Sequence, residues 1–227
     1  MVRPAIGLRS IAPTSEADLA LGASRVGGEP DLPPDSEWPA GADGPLLFVL
    51  QVRLADVTAY DLEARLPGDG LLSVFSDRWG RDVRVLHHPA EVALERRPSE
   101  AFHAFRACAV EVLPELHVPP PDSAFVGCEA ALVVLDGDAH DAYWDHVWLA
   151  WREHLRPGPA GTCGIHQLLG YAAAERHEEQ AADEEVVVGF DSDDRAAMEW
   201  GDVHCVWALM RRAALARRAW GELRAAM

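Results

Sequence analysis

The densest group of residues that could carry chemistry lies near the end of the chain. Asp191, Asp193, Asp194 and Asp202 fall within one short stretch, with Trp200 beside the last of them. Such oxygen-rich groups bind hard cations such as Ca²⁺ or Mg²⁺, although the glycine and the closing glutamate of an EF-hand loop are missing. The alternative is that Asp191 and Asp202 accept backbone hydrogen bonds that shape two turns. The stretch is therefore a candidate either for ligand binding or for turn formation.

A histidine upstream of this group offers a function in proton transfer. His166 directly precedes the segment Gln-Leu-Leu-Gly-Tyr, and it would serve as a general base if the fold brought it beside Asp191 or Asp193. The alternative is a histidine that hydrogen bonds hold in a loop. The first interpretation predicts a metal-dependent hydrolase, or another small-molecule enzyme, that uses His166, Asp191, Asp193 and Asp202.

A zinc site is a weaker interpretation. Cys163, His166, His204 and Cys205 include one Cys-x-x-His spacing that zinc sites tolerate. Residues 203–210 are predicted to form a strand, in which the neighbours His204 and Cys205 point to opposite faces. At most three of the four side chains would then converge. We therefore expect ordinary packed or hydrogen-bonded side chains here, and no bound metal.

Patterns typical of several enzyme classes are missing from the sequence. There is no Gly-x-Ser-x-Gly elbow, and a Ser-x-x-Lys motif is excluded because the chain has no lysine. Glycine-rich phosphate loops are also missing, which excludes kinase, GTPase and dinucleotide-binding motifs. No catalytic residue is assigned. A further alternative uses Trp38 and Trp79, which lie in loops beside acidic residues and would line a groove for a carbohydrate or a peptide, unless they pack in the core.

The composition indicates a single acidic domain. The chain has 227 residues, 49% of them hydrophobic, and its formal net charge is −17. This charge disfavours binding to nucleic acids and favours a basic protein or a metal cation as partner. The four cysteines are widely spaced, and no segment has the length of apolar residues that crosses a bilayer. We expect residues 1–227 to form one cytoplasmic domain without disulfides.

The apolar patterns predict a mixture of strands and helices. A loop rich in proline and glycine covers residues 27–45. The predicted strands are 46–52, 71–75, 83–86, 185–190 and 203–210, and the predicted helices are 56–65, 138–155 and 212–226. Residues 101–135 give only irregular strands or short helices. We therefore expect an α+β fold, with a mixed or antiparallel sheet and a C-terminal helix.

Two parts of the chain share a similar order of elements. In residues 46–77 and in residues 186–210, an apolar strand ends at a polar residue and is followed by a turn and a second apolar strand. Duplication of a strand pair would produce this pattern. Ordinary hairpins would produce it as well, and both interpretations place these strands in one core sheet.

Several short motifs occur in order along most of the chain. They are Gly27–Pro33, Trp38–Pro39, Pro45–Gln51, Leu66–Pro67, Gly70–Leu72, His166–Tyr171, Asp191–Asp193 and Trp200–Asp202. Together they resemble the YwqG-like family, a bacterial domain family of unknown function. The resemblance implies a compact α+β domain from the bacterial cytoplasm and brings no established activity. This chain departs from the family at Gly189, where glutamine is usual, and at His204, where glycine is frequent. If the family uses a site there, this member has altered it.

Three hypotheses follow for function. The leading hypothesis is a non-catalytic interaction or regulatory domain, of the immunity or antitoxin kind, whose acidic face binds a basic protein. The alternatives are the metal-dependent enzyme and the carbohydrate- or peptide-binding module. The predicted ligand-binding positions are Trp38, Gln51, His166, Asp191, Asp193, Trp200 and Asp202.

Overall fold

Antiparallel β-sheet is the main regular structure of the described chain. The structure is a computed structural model that describes residues 2–121, 123, 125, 141–155, 165–172, 180–201 and 205–227. Its strands are β1 (Arg3–Pro13), β2 (Arg25–Val26), β3 (Asp31–Leu32), β4 (Ala40–Gly41), β5 (Gly44–Pro45), β6 (Leu47–Arg53), β7 (Leu71–Ser76), β8 (Val83–His88), β9 (Glu95–Arg96), β10 (Cys108–His117), β11 (Ile165–Leu169), β12 (Glu184–Phe190), β13 (Val206–Arg211) and β14 (Arg224–Ala226).

The helices of the described residues are short. They are α1 (Leu54–Val57), a π-helical segment (Trp144–Trp148) that continues into α2 (Leu149–Leu155), and α3 (Arg212–Ala216), with 3₁₀ turns at Glu16–Asp18 and Trp220–Glu222. Within this part of the chain, no helix is long and apolar enough to span a membrane.

Ten strands form one sheet that curls towards closure. Their order is β14-β13-β12-β11-β1-β10-β2-β6-β7-β8, and every neighbouring pair is antiparallel. The two ends of this order meet in space. A Cβ built on Gly80, just before β8, would lie 2.5 Å from Val206 Cγ2 on β13, and the ring centroids of His87 and Trp220 are 6.3 Å apart. The sheet is therefore a nearly closed barrel.

Apolar side chains fill the barrel and also cover parts of its outside. The largest cluster lies inside and includes Ile6, Leu8, Leu72 and Val206. A second cluster joins Trp38, in the loop of residues 27–45, to the sheet residues Phe48 and Phe75, and a third includes Val186 and Trp207. Because both faces of these strands are buried, their sequences are almost continuously apolar.

The strand order is symmetric about its centre. The strands fall into two sets of five that follow the same path, namely β1, β2, β6, β7, β8 and β10, β11, β12, β13, β14. The first strand of each set lies beside the second strand of the other set, so β1 neighbours β11 and β10 neighbours β2. The backbone repeats too, since Gly27 and Gly28 after β2, and Leu169 and Gly170 after β11, all have positive φ. This correspondence involves five strands in each half, and it includes the two strand pairs whose similarity the sequence indicated, because β6 and β7 occupy the same places in the first half as β12 and β13 in the second.

The α+β prediction with a C-terminal helix is wrong. Residues 212–226 form the short helix α3, a 3₁₀ turn and the strand β14, which pairs with β13 from Trp207↔Ala226 to Leu209↔Arg224. Without β14, the backbone of β13 would present unpaired hydrogen-bonding groups at the edge of the sheet. Satisfying them outweighs the helix propensity of an alanine-rich segment, which is only a weak preference.

The helix predicted for residues 56–65 is also wrong beyond its first turn. The Asp61 carboxylate accepts hydrogen bonds from the backbone N–H groups of Arg65 and Leu66 at 3.0 and 2.7 Å. An aspartate that bonds local backbone in this way favours a turn over a helix. Ala64 accordingly adopts a left-handed φ of 50°.

Other predicted elements are confirmed. Strands β6, β7, β8, β12 and β13 lie where apolar runs predicted them, and the described part of the predicted helix 138–155 is helical from residue 141 onwards. Strand β10 lies in the segment 101–135 that the patterns left irregular. Strands β1 and β11, near the centre of the sheet, were not predicted.

Candidate functional site

The barrel interior brings together three of the residues predicted to form a site. His166 lies on β11 and is fully buried, and the turn after β12 carries Asp191 and Asp193 to the same end of the barrel. The Asp191 backbone N–H donates to His166 Nδ1 at 3.2 Å. The ring proton therefore lies on Nε2, which is 3.5 Å from Asp193 Oδ2.

Asp193 is the charged centre of this group. Its side chain is fully buried. Burial acts to raise the pKa of Asp193, but the nearby polar groups of His166 and Ser10 outweigh burial and lower this pKa to about 2. The neighbouring Cys108 responds in the opposite direction, because burial and the charge of Asp193 raise the pKa of its thiol to about 11. Asp193 is thus ionised and Cys108 is a neutral thiol at neutral pH.

This arrangement stabilises a turn and is not arranged for catalysis. In a serine-protease triad the histidine lies between the aspartate and the serine, whereas here the carboxylate of Asp193 lies between Ser10 and His166. All three side chains are at most 1% exposed, so a substrate has no access to them. Among the described residues, no three His, Cys, Asp or Glu side chains are grouped in a way that would hold a metal ion.

The remaining positions of the acidic stretch have separate surroundings. Trp200 is buried, and its ring packs edge-on against Phe190 and Phe105 at centroid distances of 5.0 and 5.7 Å. Asp202 lies outside the described residues, and so do Cys163 and His204 of the zinc interpretation. The zinc hypothesis therefore stays untested, while Trp200 contributes to packing.

A second polar group, which we call the Asp31 network, surrounds Gln51. Asp31 follows two glycines and a proline at the end of the segment after β2, and its carboxylate is fully buried. It accepts hydrogen bonds from Arg25, from Gln51 Nε2 at 2.8 Å and from Arg96 Nε at 3.0 Å. Gln51 Oε1 in turn accepts from the Asp31 N–H at 2.9 Å.

The Asp31 network ties three distant segments of the chain to the sheet. Arg96 also donates to the carbonyl oxygens of Glu16 and Leu19. Burial acts to raise the pKa of Asp31, but the hydrogen bonds from Arg96 and Gln51 hold it below its usual value. Gln51 was predicted as a site residue, whereas Arg25 and Arg96 were not. The partners of Arg96 are 65 to 80 residues away in sequence, so no local pattern could have identified it, whereas Arg25 lies only six residues from Asp31.

Trp38 is a packing residue in this structure. It is 8% exposed, its Nε1 donates to Leu46 O at 2.9 Å, and its ring meets Phe75 edge-on at 5.4 Å. Trp79 is different, since it is 47% exposed and the guanidinium of Arg78 stacks on its ring at 4.2 Å. The two tryptophans therefore do not share a binding groove.

The second half of the barrel has a polar group of its own that the sequence did not indicate. His117 Nε2 lies 2.7 Å from Glu115 Oε2, and its ring meets Trp151 at a centroid distance of 4.9 Å. Gln167 Nε2 donates to the carbonyl oxygens of Leu169 and Tyr171 at 2.7 and 3.1 Å. The buried glutamine on β11 thus fixes the turn after this strand, as Gln51 fixes the loop at Asp31.

The glycine at position 189, where the resemblance leads us to expect glutamine, has a physical explanation. Gly189 pairs with Gln167 on one side and with Trp207 on the other, just as Gln51 pairs with Arg25 and Ser73 in the first half. The six-membered ring of Trp207 occupies the space where a side chain at position 189 would begin. A glutamine at this position therefore requires a smaller residue at position 207.

Acidic residues concentrate on one surface, which we call the acidic surface. It consists of residues 16–22, 29–37 and 91–100, which together contain nine acidic residues and two arginines. The ladder between β3 and β9 joins two of these segments, and Arg96 joins the third. Its exposed acids are Asp18, Asp35, Glu37, Glu91, Glu95 and Glu100.

Both arginines of the acidic surface are engaged within the protein. Arg96 binds Asp31, while Arg97 donates to Ser36 O at 2.6 Å and to Glu100 at 2.6 Å. The outer carboxylates Asp35, Glu37 and Glu95 are exposed, so their charge faces solvent. The surface is therefore strongly negative. It also carries one exposed apolar side chain, Leu21, which is 55% exposed.

Comparison with known proteins identifies an uncharacterised domain family. The family model described as Domain of unknown function (DUF1963) matches residues 24–226, which is most of the chain. No curated protein matches the sequence.

Proposed function

We propose that this chain, which belongs to the DUF1963 family of domains of unknown function, is a non-catalytic domain that binds a basic protein. The observation that carries the proposal is the acidic surface, where six exposed acidic residues accompany only two arginines and both arginines are engaged within the protein. A basic partner would gain attraction over this whole surface, and steering by the field would speed the encounter.

The candidate catalytic residues support the same choice. The polar group around His166 and the polar group around Asp31 are both buried. Within each group the side chains contact one another, so they stabilise loops instead of facing a ligand. A neutralised toxin is one kind of basic partner that such a domain would bind. The short motifs further support a YwqG-like assignment within the family, and the free, buried thiol of Cys108 supports a cytoplasmic location.

The test measures binding to basic proteins encoded by neighbouring genes. The variant D35N/E37Q/E95Q removes three charges from the acidic surface, and the matched control D69N/D194N/E199Q removes three exposed charges elsewhere. We expect affinity that falls steeply with salt, and a loss of affinity of at least about tenfold in the first variant and little loss in the control.

Two results would contradict the proposal. Equal affinities of the two triple variants would show that the acidic surface does not form the interface. Stability that is unchanged by every neighbouring product, measured by thermal unfolding, would show that none of them is a partner.

A further inference from the structure

A small hollow lies at the end of the barrel opposite His166, where β1 begins and β11 ends. Its enclosed part has room for only about one water-sized group, and the rest is open to solvent. Residues from the start of β1, the loop between α1 and β7, the end of β11 and β12 line it, and the charged ones are Arg3, Asp61, Glu63, Arg65 and Glu185. Sites for drug-sized ligands are mostly larger, so this hollow suits one small chemical group.

The carboxylates that line the hollow already have donors of their own. Glu185 accepts from Arg212 Nε at 2.5 Å, and Glu63 accepts from Arg65 at 2.8 and 3.0 Å. Asp61 accepts the two backbone N–H groups that shape its turn. The acceptors of the lining are therefore used, including Leu169 O, which binds Gln167.

Arg3 is the lining residue whose hydrogen-bonding capacity is not used. Its Nη1 is enclosed and has no hydrogen-bond acceptor among the described residues. The nearest carboxylate, Glu185, is 3.9 Å away, and Arg65 Nη1 lies at the same distance from the other Glu185 oxygen. The Arg3 guanidinium is also fixed in place, since it stacks on the rings of Phe125 and Tyr171 at 4.5 and 4.6 Å.

An enclosed donor without an acceptor is costly and requires an explanation. We propose that the hollow binds a small carboxylate, one oxygen of which accepts a hydrogen bond from Arg3 Nη1 while the guanidinium of Arg65 attracts the group from the opposite side. An anionic acceptor is favoured over a neutral one because bonds between charged groups are the stronger kind. The planar guanidinium of arginine is suited to this contact.

The backbone around the hollow is consistent with a binding site. Leu169 in the wall has a φ of 61° and Ala64 in the neighbouring loop has a φ of 50°. Conformations of this kind cost free energy in non-glycine residues and persist where the surrounding structure holds them. The hollow is separate from the acidic surface, so this proposal does not depend on the proposed function.

The experiment compares acetate with acetamide as probes of the full chain. Acetate and acetamide have nearly the same shape, and only acetate is charged. Thermal unfolding is followed while sodium acetate replaces sodium chloride at constant ionic strength. We expect a saturable rise of the unfolding temperature with acetate and none with acetamide.

Variants connect the effect to the hollow. R3Q should weaken acetate binding at least about tenfold, and R65Q should weaken it several-fold. R53Q is the control, because Arg53 is an exposed arginine that pairs with Asp56 away from the hollow, and its acetate affinity should match the wild type. If R3Q does not fold, R65Q decides, since its side chain is 30% exposed.

Three results would overturn the proposal. The first is the absence of a saturable acetate effect, and the second is an equal effect of acetamide. The third is an acetate affinity in R65Q, or in a folded R3Q, that equals that of R53Q.

Discussion

Replacing Asp31 by asparagine should destabilise the protein strongly. The carboxylate of Asp31 is fully buried and receives hydrogen bonds from Arg25, Arg96, Gln51 and the backbone N–H of Gly22. Asparagine has nearly the same shape, so packing is preserved. One of its two polar atoms is a donor, however, and this N–H₂ group would face other donors.

The magnitude follows from the charge that the variant leaves behind. Arg25 is completely buried and would keep only Glu16, at 3.1 Å, as a charged partner. Breaking a buried ion pair by removing one partner costs about 3 to 5 kcal/mol. We therefore expect D31N to lower the free energy of unfolding by about 3 kcal/mol or more, which is a large share of the stability of a typical domain.

The assay is urea unfolding followed by tryptophan fluorescence at neutral pH. The control is D35N, an exposed aspartate in the same loop, for which a change below about 1 kcal/mol is expected. A decrease for D31N no larger than that of D35N would refute the reasoning. The pH dependence adds a check. Since the folded-state pKa of Asp31 lies below its ordinary value of 3.8, the advantage of wild type over D31N should be complete above this pH and shrink as the pH falls through the folded-state pKa.

Three further predictions concern other parts of the barrel. Lowering the pKa of Asp193 from 3.8 to about 2 corresponds to about 2 kcal/mol of stability. When the free energy of unfolding is measured as a function of pH, wild type should lose about 2 kcal/mol more than D193N between these two pH values. Gly80→Ala should lower the free energy of unfolding, measured in urea, by about 1 to 3 kcal/mol, because φ is +72° and Val206 leaves no room for a side chain. Gly68→Ala should lower it little, because nothing lies within 4 Å of that position. A variant with Cys108 as its sole cysteine should react with a thiol reagent only after unfolding, because its thiol is buried and has a pKa of about 11.

The apolar strands were predictable because both of their faces are buried. Runs such as Leu47–Arg53 and Glu184–Phe190 are too apolar for a surface element and too short for most helices. Strands β1 and β11 lacked this signal. Strand β1 contains Pro4, Gly7 and exposed residues towards its end, and it becomes a central strand only because β10 and β11 pair with it.

The helical errors have a common origin. Alanine and arginine near the C-terminus indicate a helix by local preference, yet residues 224–226 are needed to pair with β13. This need arises from the sheet as a whole and does not appear in any window of the sequence. Tertiary hydrogen bonding therefore decided the structure where local propensity was weak.

Which residues form the polar groups could partly be predicted from the sequence, but the roles of these groups could not. The sequence indicated that His166, Asp191 and Asp193 belong together, and the structure brings them into contact. It left open whether the oxygen-rich residues bind a ligand or shape turns, and in the structure Asp191 and Asp193 are buried while Asp194 is exposed. Contacts between distant segments, such as that of Arg96 with Asp31, decide between these roles, and no local pattern relates these segments.

The Asp31 network and the acidic surface are two consequences of one arrangement. Arg96 and Arg97 bind Asp31, Glu100 and the carbonyl groups of neighbouring loops, and neither arginine pairs with the exposed carboxylates Asp35, Glu37 and Glu95. Stabilising the loops thus exposes negative charge. Loss of binding in D31N would then reflect a disturbed loop and would not identify the interface. The surface variant D35N/E37Q/E95Q leaves the network intact, so binding lost in this variant at unchanged stability assigns the negative charge itself to partner recognition.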